Sequence, residues 1–123
     1  MAKKRLLITG GAGFIGVNSA RHFLKKGWTV TLLDNFSRKG TDVNVQTLLT
    51  EYPEVSVVRA DICTDQDALN SAVGQSDAVL HLAAQVAVTT SITDPRNDMV
   101  QNVLGTFNVL EAIRTSSNKH RTR

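Results

Sequence analysis

An apolar pentad, Arg5-Leu6-Leu7-Ile8-Thr9, runs directly into Gly10-Gly11-Ala12-Gly13-Phe14-Ile15-Gly16, which holds four glycines in seven positions. Glycine weakens the interiors of both strands and helices, so this cluster marks a junction between two elements. The apolar run is too short for a helix and is bounded by glycine, which predicts a buried strand over 5–9. Behind the glycines, Phe14, Val17, Ala20 and Leu24 fall at helical spacing, and Lys25-Lys26-Gly27 closes the pattern with cations and a glycine stop. Strand, glycine loop and helix, in that order, constrain the fold more than any other feature of the chain.

The same alternation continues. Apolar runs predict strands over 28–33, 55–59 and 78–82, the second strand ending at Asp34. Helices are expected over about 43–50, over 65–73 behind a Thr64 cap, and over about 95–115 with Pro95 at its first position. Along the last helix, Met99, Val103, Phe107, Leu110 and the stem of Arg114 share one face. Near-continuously apolar strands alternating with helices indicate a parallel sheet covered on both sides. The expected class is α/β: the first half of a Rossmann-type doubly wound sheet, with about four strands in the order 3-2-1-4.

Bulk properties exclude several function classes. At 123 residues, with 41% hydrophobic and 20% charged residues, the chain is an ordinary globular domain or less. It has no apolar run long enough for a membrane helix and no signal-peptide pattern, and its lone Cys63 suits a reducing compartment. A cytoplasmic location is therefore expected. The net charge of +3 equals the contribution of Lys119, Arg121 and Arg123 in the tail. The remaining cations are scattered pairs without interleaved aromatics, which argues against nucleic acid as a partner.

The glycine loop has a specific chemistry in this setting. Its first glycines permit a tight turn, Gly13 lets a pyrophosphate approach the backbone, and Gly16 permits close packing of the helix. The helix then presents free N–H groups and a favourable dipole to the phosphates. Asp34, eighteen residues after Gly16, stands where a carboxylate accepts the hydroxyls of an adenosine ribose and repels a 2′-phosphate. The cofactor expected is NAD rather than NADP, a preference that Arg38 and Lys39 soften. Asp61-Ile62 follows the third strand and fits either an adenine-side pair or a helix-initiating Asp. His81, on an apolar strand, reads as a packed core histidine more readily than as a catalyst.

Thr9 to Gly16, Asp34-Asn35, Asp61-Ile62, His81-Leu82-Ala83-Ala84 and Asn102-Val103-Leu104-Gly105-Thr106 together resemble the extended short-chain dehydrogenase/reductase superfamily, in its NAD-dependent nucleotide-sugar epimerase and dehydratase branch. Within it, DNFSRKGT and HLAAQVAVTTSITDP look like the CDP-tyvelose (CDP-paratose) 2-epimerases. The resemblance implies an incomplete NAD-binding domain over 1–117 with a basic tail at 118–123. It also implies that Gly10, Gly13, Phe14, Ile15 and Gly16 hold the pyrophosphate. By the same resemblance Asp34, Asn35, Ser37 and Arg38 line the adenosine, and Asp61 and Ile62 flank adenine. Leu82, Ala83, Ala84 and Gln85 would line the path toward the nicotinamide, with Asn102 near that end. Thr90 and Ser91 are either substrate-side hydroxyls or loop and cap residues.

Such enzymes oxidise a sugar hydroxyl transiently with NAD, using a tyrosinate from a Tyr-x-x-x-Lys pair as base. The resemblance implies a nucleotide-sugar substrate, with a 4-epimerase, a 4,6-dehydratase or a non-catalytic dinucleotide-binding module as alternatives. This chain departs from the pattern: its only tyrosine, Tyr52, is followed four residues later by Ser56. No catalytic residue and no metal ligand is therefore assigned. A fourth strand left as an edge predicts dimerisation, a missing partner domain or marginal stability, so a homo-oligomer is among the expectations.

Overall fold

The protein is described by a computed structural model, which covers residues 3–117. The strands are β1 (Arg5–Thr9), β2 (Thr29–Asp34), β3 (Ser56–Arg59) and β4 (Ala78–His81), all parallel, in the order β3-β2-β1-β4. The helices are α1 (Phe14–Lys25), α2 (Thr41–Glu51), α3 (Gln66–Gly74), α4 (Val88–Thr93), α5 (Pro95–Met99) and α6 (Gly105–Thr115), with a π-helical stretch, Val100–Leu104, between the last two. The expected fold and strand order are the ones observed. The basic tail at 118–123 lies outside the described residues.

Alternation along β1 builds two cores. Leu6 and Ile8 point to one side, where they join Val30 and Leu32 under Val17 and Ala20 of α1 and Val45 and Leu48 of α2. Leu7 points to the other, joining Leu33 and Ile62 against Leu69 and Val73 of α3 and Val109 and Ala112 of α6. Leu7, Ile8, Leu32, Leu48 and Leu69 are wholly buried. Each such side chain contributes about 1.5–3 kcal/mol relative to exposure. The sheet is thus covered on both faces, which is why its strands lack polar alternation.

Register between β1 and β4 is fixed at both ends. At the start, the Arg5 guanidinium makes a paired contact with the Asp77 carboxylate, at 3.2 and 3.1 Å. At the finish, the Thr9 hydroxyl accepts the N–H groups of Leu82 and Ala83 at 3.1 and 3.3 Å. Among the described residues β4 pairs with β1 alone, and all four of its residues are only partly buried.

The C-terminal third departs from expectation. The single helix over 95–115 is instead α5, the π-helical stretch and α6, and the segment before Pro95 forms α4. Pro95 does occupy the first turn of α5, where Asp94 supplies the cap, accepting the Asn97 N–H at 3.1 Å. Thr64 does not cap α3: the capping position is Asp65, whose carboxylate accepts the Asp61 N–H at 2.7 Å. The stripe of Met99, Val103, Phe107 and Leu110 faces outward, each residue more than half exposed. α6 packs instead through Gly105, Val109 and Ala112, and a side chain at Gly105 would meet Ile62 at 2.6 Å. Small residues win that face because they allow the helix to lie close to α3 and to Ile62 in the loop after β3. Among the described residues, no helix is long and apolar enough to cross a membrane.

Candidate functional site

In an open parallel sheet, ligands bind beyond the carboxyl ends of the strands where the strand order reverses. Here that place lies between β1 and β4, and a cavity of about 510 Å³ opens there. Gly10 and Gly13 reach it from β1, Asp34, Asn35, Ser37 and Arg38 from β2. Asp61 and Ile62 contribute from β3, and Leu82, Ala83, Ala84 and Gln85 from β4. Twelve residues singled out in the sequence therefore share one cavity wall.

The glycine loop is shaped by backbone contacts. Gly10 has a φ of +67°, and a Cβ there would lie 2.8 Å from the Ala83 nitrogen, so the turn admits no side chain. Its N–H donates to the Leu33 carbonyl at 2.8 Å, folding the loop back over β2. A Cβ at Gly16 would sit 2.7 Å from the Gly10 oxygen, so the start of α1 packs on the loop itself rather than on the strand. Gly13 is different. A Cβ there meets only the Gly10 oxygen, at 3.4 Å, so a side chain at this position would stand in the cavity.

Asp34 joins this loop to the next. One carboxylate oxygen accepts the Ala12 N–H at 3.0 Å and the other accepts the Phe36 N–H at 2.9 Å. Each oxygen keeps further acceptor capacity toward the cavity. The Asn44 amide on α2 donates to the Ala12 carbonyl at 3.0 Å, so both polar groups of the Ala12 backbone are held by side chains. Phe36 adopts a left-handed φ of 58°, rare outside glycine, with the Arg59 guanidinium stacked 4.0 Å from its ring centre. Across the sheet, Asp61 accepts the Cys63 N–H at 2.8 Å. Burial, then the nearby Asp61 carboxylate, pushes the Cys63 thiol above its ordinary range.

The β4 side of the cavity rests on a chain of hydrogen bonds. The Thr9 oxygen already accepts two N–H groups, so its proton goes to His81 Nδ1, 2.6 Å away. That leaves His81 neutral with the proton on Nε2, which donates to the Thr106 hydroxyl at 3.0 Å, and Thr106 donates in turn to the Asn102 carbonyl at 2.6 Å. Burial lowers the His81 pKa, in agreement with a neutral ring. His81 is a structural histidine. The Asn102 side chain accepts the Gln85 N–H at 2.7 Å and donates to the Gln85 carbonyl at 3.1 Å.

Other singled-out residues stand away from the cavity wall. Phe14 and Ile15 open α1 with 78% and 64% of their surface exposed. Asn102 stands behind Gln85, and Ser91, on α4, donates to the Val88 carbonyl at 2.6 Å. Thr90 lies beside it on α4. Thr41, Asn97 and Gln101 line the cavity but were not expected from the sequence. Thr41 carried a signal in its position just after Gly40, whereas Asn97 and Gln101 are ordinary polar residues on α5 and the π-helical stretch.

Known proteins share this arrangement. The family profile described as GDP-mannose 4,6 dehydratase matches residues 7–123. A CDP-paratose 2-epimerase from Salmonella typhi is 42% identical over 111 residues, which is 89% of this chain and 32% of that protein. A dTDP-glucose 4,6-dehydratase from Mycolicibacterium smegmatis is 38% identical over 112 residues, again 89% of this chain and 33% of the relative. The crystal structure of a Thermus thermophilus UDP-glucose 4-epimerase in complex with NAD superposes with a TM-score of 0.77 at 38% identity, over 89% of this chain and 33% of that one. The chain spans about a third of the length of these relatives. With a family profile covering nearly all of it, on a Rossmann-type sheet of matching order, the chain belongs to the GDP-mannose 4,6-dehydratase family of nucleotide-sugar epimerases and dehydratases, within the extended short-chain dehydrogenases/reductases.

Proposed function

We propose that residues 1–117 are the NAD-binding portion of a nucleotide-sugar epimerase of the CDP-tyvelose (CDP-paratose) 2-epimerase type, working in the cytoplasm. The observation that carries this reading is the cavity at the strand-order reversal, with Gly13 open to it and Asp34 on its wall. The donor set suits a dinucleotide. The amides of Gly13, Phe14 and Ile15 at the start of α1 would face the pyrophosphate, and Gly10 and Gly16 shape the loop that presents them. Asp34 would take the adenosine ribose beside Asn35, Ser37 and Arg38, and Asp61 and Ile62 would flank adenine. Leu82, Ala83, Ala84 and Gln85 would border the nicotinamide half, with Asn102 holding that wall. Thr90 and Ser91 are proposed for the substrate side.

When bound, NAD supplies a reversible hydride acceptor for a carbon bearing a sugar hydroxyl. This chain's residues bind and orient it. The proton is another matter, because Tyr52 ends α2 without a lysine four residues on. We therefore assign the chain no turnover by itself. The 38% identity to a dTDP-glucose 4,6-dehydratase over the same share of the chain favours a second reading, a dehydratase or 4-epimerase of the same branch. Association into a homo-oligomer belongs to the same proposal. The test is an assay of the chain with a CDP-activated 3,6-dideoxyhexose and NAD. NAD binding without epimerisation is expected, and turnover would overturn the assignment.

A further inference from the structure

The cavity wall carries three charged side chains among the described residues: Asp34, Asp61 and Arg38. Two are anions, so Arg38 is the one full positive charge on the wall. Its guanidinium does not pair with either carboxylate. Instead it crosses from the loop after β2 to the loop after β4, where Nη2 donates to the Ala84 carbonyl at 2.6 Å. Both Arg38 and Ala84 are exposed, while the Arg38 backbone is held by its own carbonyl accepting the Thr41 hydroxyl at 2.8 Å. The result is a backbone held at its base, an exposed cation tethered by one hydrogen bond, and a neutral partner on the opposite wall.

A guanidinium prefers a planar, anionic oxygen acceptor to a single amide carbonyl, and the charge-assisted bond is roughly twice as strong. An exposed side chain changes partners without leaving water, so the exchange carries little desolvation cost. We propose that Arg38 is a phosphate latch: it straps the cavity by binding Ala84 in the free protein and transfers to a phosphate oxygen of an entering dinucleotide. This rests on the dinucleotide reading above and adds to it a ligand-exchanging residue. The same residue would discriminate ligands by their phosphates rather than by their base or sugar.

The experiment compares the wild-type chain with Arg38→Met and Arg38→Lys, using NAD, ADP and adenosine as probes in NMR titrations. Hydrogen exchange at Gln85, whose N–H is held by Asn102, is followed in the same proteins without any probe. Arg38→Met is expected to weaken NAD and ADP by about tenfold or more and adenosine, which carries no phosphate, by much less. Arg38→Lys, which keeps the charge, is expected to recover part of the loss. In the free protein, Arg38→Met exchanges faster at Gln85, next to the strapped Ala84, because the strap is gone. Equal losses for adenosine and NAD would mean that Arg38 acts through loop shape, and unchanged NAD affinity would remove the phosphate contact. Either result overturns the latch alone. A wild-type chain that binds none of the three probes overturns the dinucleotide reading, and the latch falls with it.

Discussion

The Asp34 carboxylate, at the end of the second strand, accepts the backbone N–H of Ala12 at 3.0 Å, tying the acid to the middle of the glycine loop. Its second oxygen holds Phe36 in a left-handed conformation. Asp34 therefore has a structural task before any ligand arrives. In Asp34→Asn, one amide oxygen must serve where two carboxylate oxygens did, and the NH2 group faces a backbone donor. The expected cost is about 1–3 kcal/mol in urea unfolding. A variant as stable as the wild type would show that these two contacts carry no weight.

Gly13 and Gly16 separate binding from folding. Gly13 has a φ of −74° and a ψ of 172°, a region open to any residue, and a Cβ there meets only one atom closely. Gly13→Val is therefore expected to fold with a stability within about 1 kcal/mol of the wild type while losing NAD binding. Gly16→Ala places its methyl 2.7 Å from loop backbone and is expected to lose about 1–3 kcal/mol. Thermal unfolding of both proteins, followed by an NAD titration of each, checks the contrast.

His81 gives a pH dependence with a defined sign. Burial lowers its folded pKa, whereas the unfolded ring titrates near about 6.5. Between those two values the unfolded state binds more protons, so stability rises with pH there. The contribution is complete above the unfolded pKa and is lost as pH falls through the folded one. Protonation also forces Nδ1 to donate toward a Thr9 oxygen that already accepts two N–H groups. His81→Gln should flatten the acid limb of a plot of unfolding midpoint against pH. Parallel curves for the two proteins would remove His81 from the acid response.

Among the described residues, the outward stripe of Val103, Phe107 and Leu110 leaves apolar surface exposed, and one edge of β4 has no strand beside it. Concentration-dependent association is expected by light scattering, and Phe107→Asp together with Leu110→Asp should reduce it. A chain that stays monomeric up to millimolar concentration would contradict this.

The sheet was legible because its strands are buried on both sides and so read as uninterrupted apolar runs. The last third was not. Val88-Thr89-Thr90-Ser91-Ile92-Thr93 is rich in β-branched residues, which disfavour helix, yet it forms α4 with Thr93 donating back to the Thr89 carbonyl at 3.1 Å. The stripe of Met99, Val103, Phe107 and Leu110 has the spacing of a core face but stays outward, because α6 packs through Gly105, Val109 and Ala112 instead. In the site, the glycines and Asp34 announced themselves by spacing from a strand end. Asn44 and Thr9 did not, because their partners lie 32 and more than 70 residues away in the chain.

The dinucleotide site itself is tested most directly by calorimetric titration of the chain with NAD and, separately, with NADP. Asp34 at the cavity wall predicts saturable one-to-one binding of NAD and weaker binding of NADP, whose 2′-phosphate meets that carboxylate. Tighter binding of NADP, or no heat of binding with either, would contradict it.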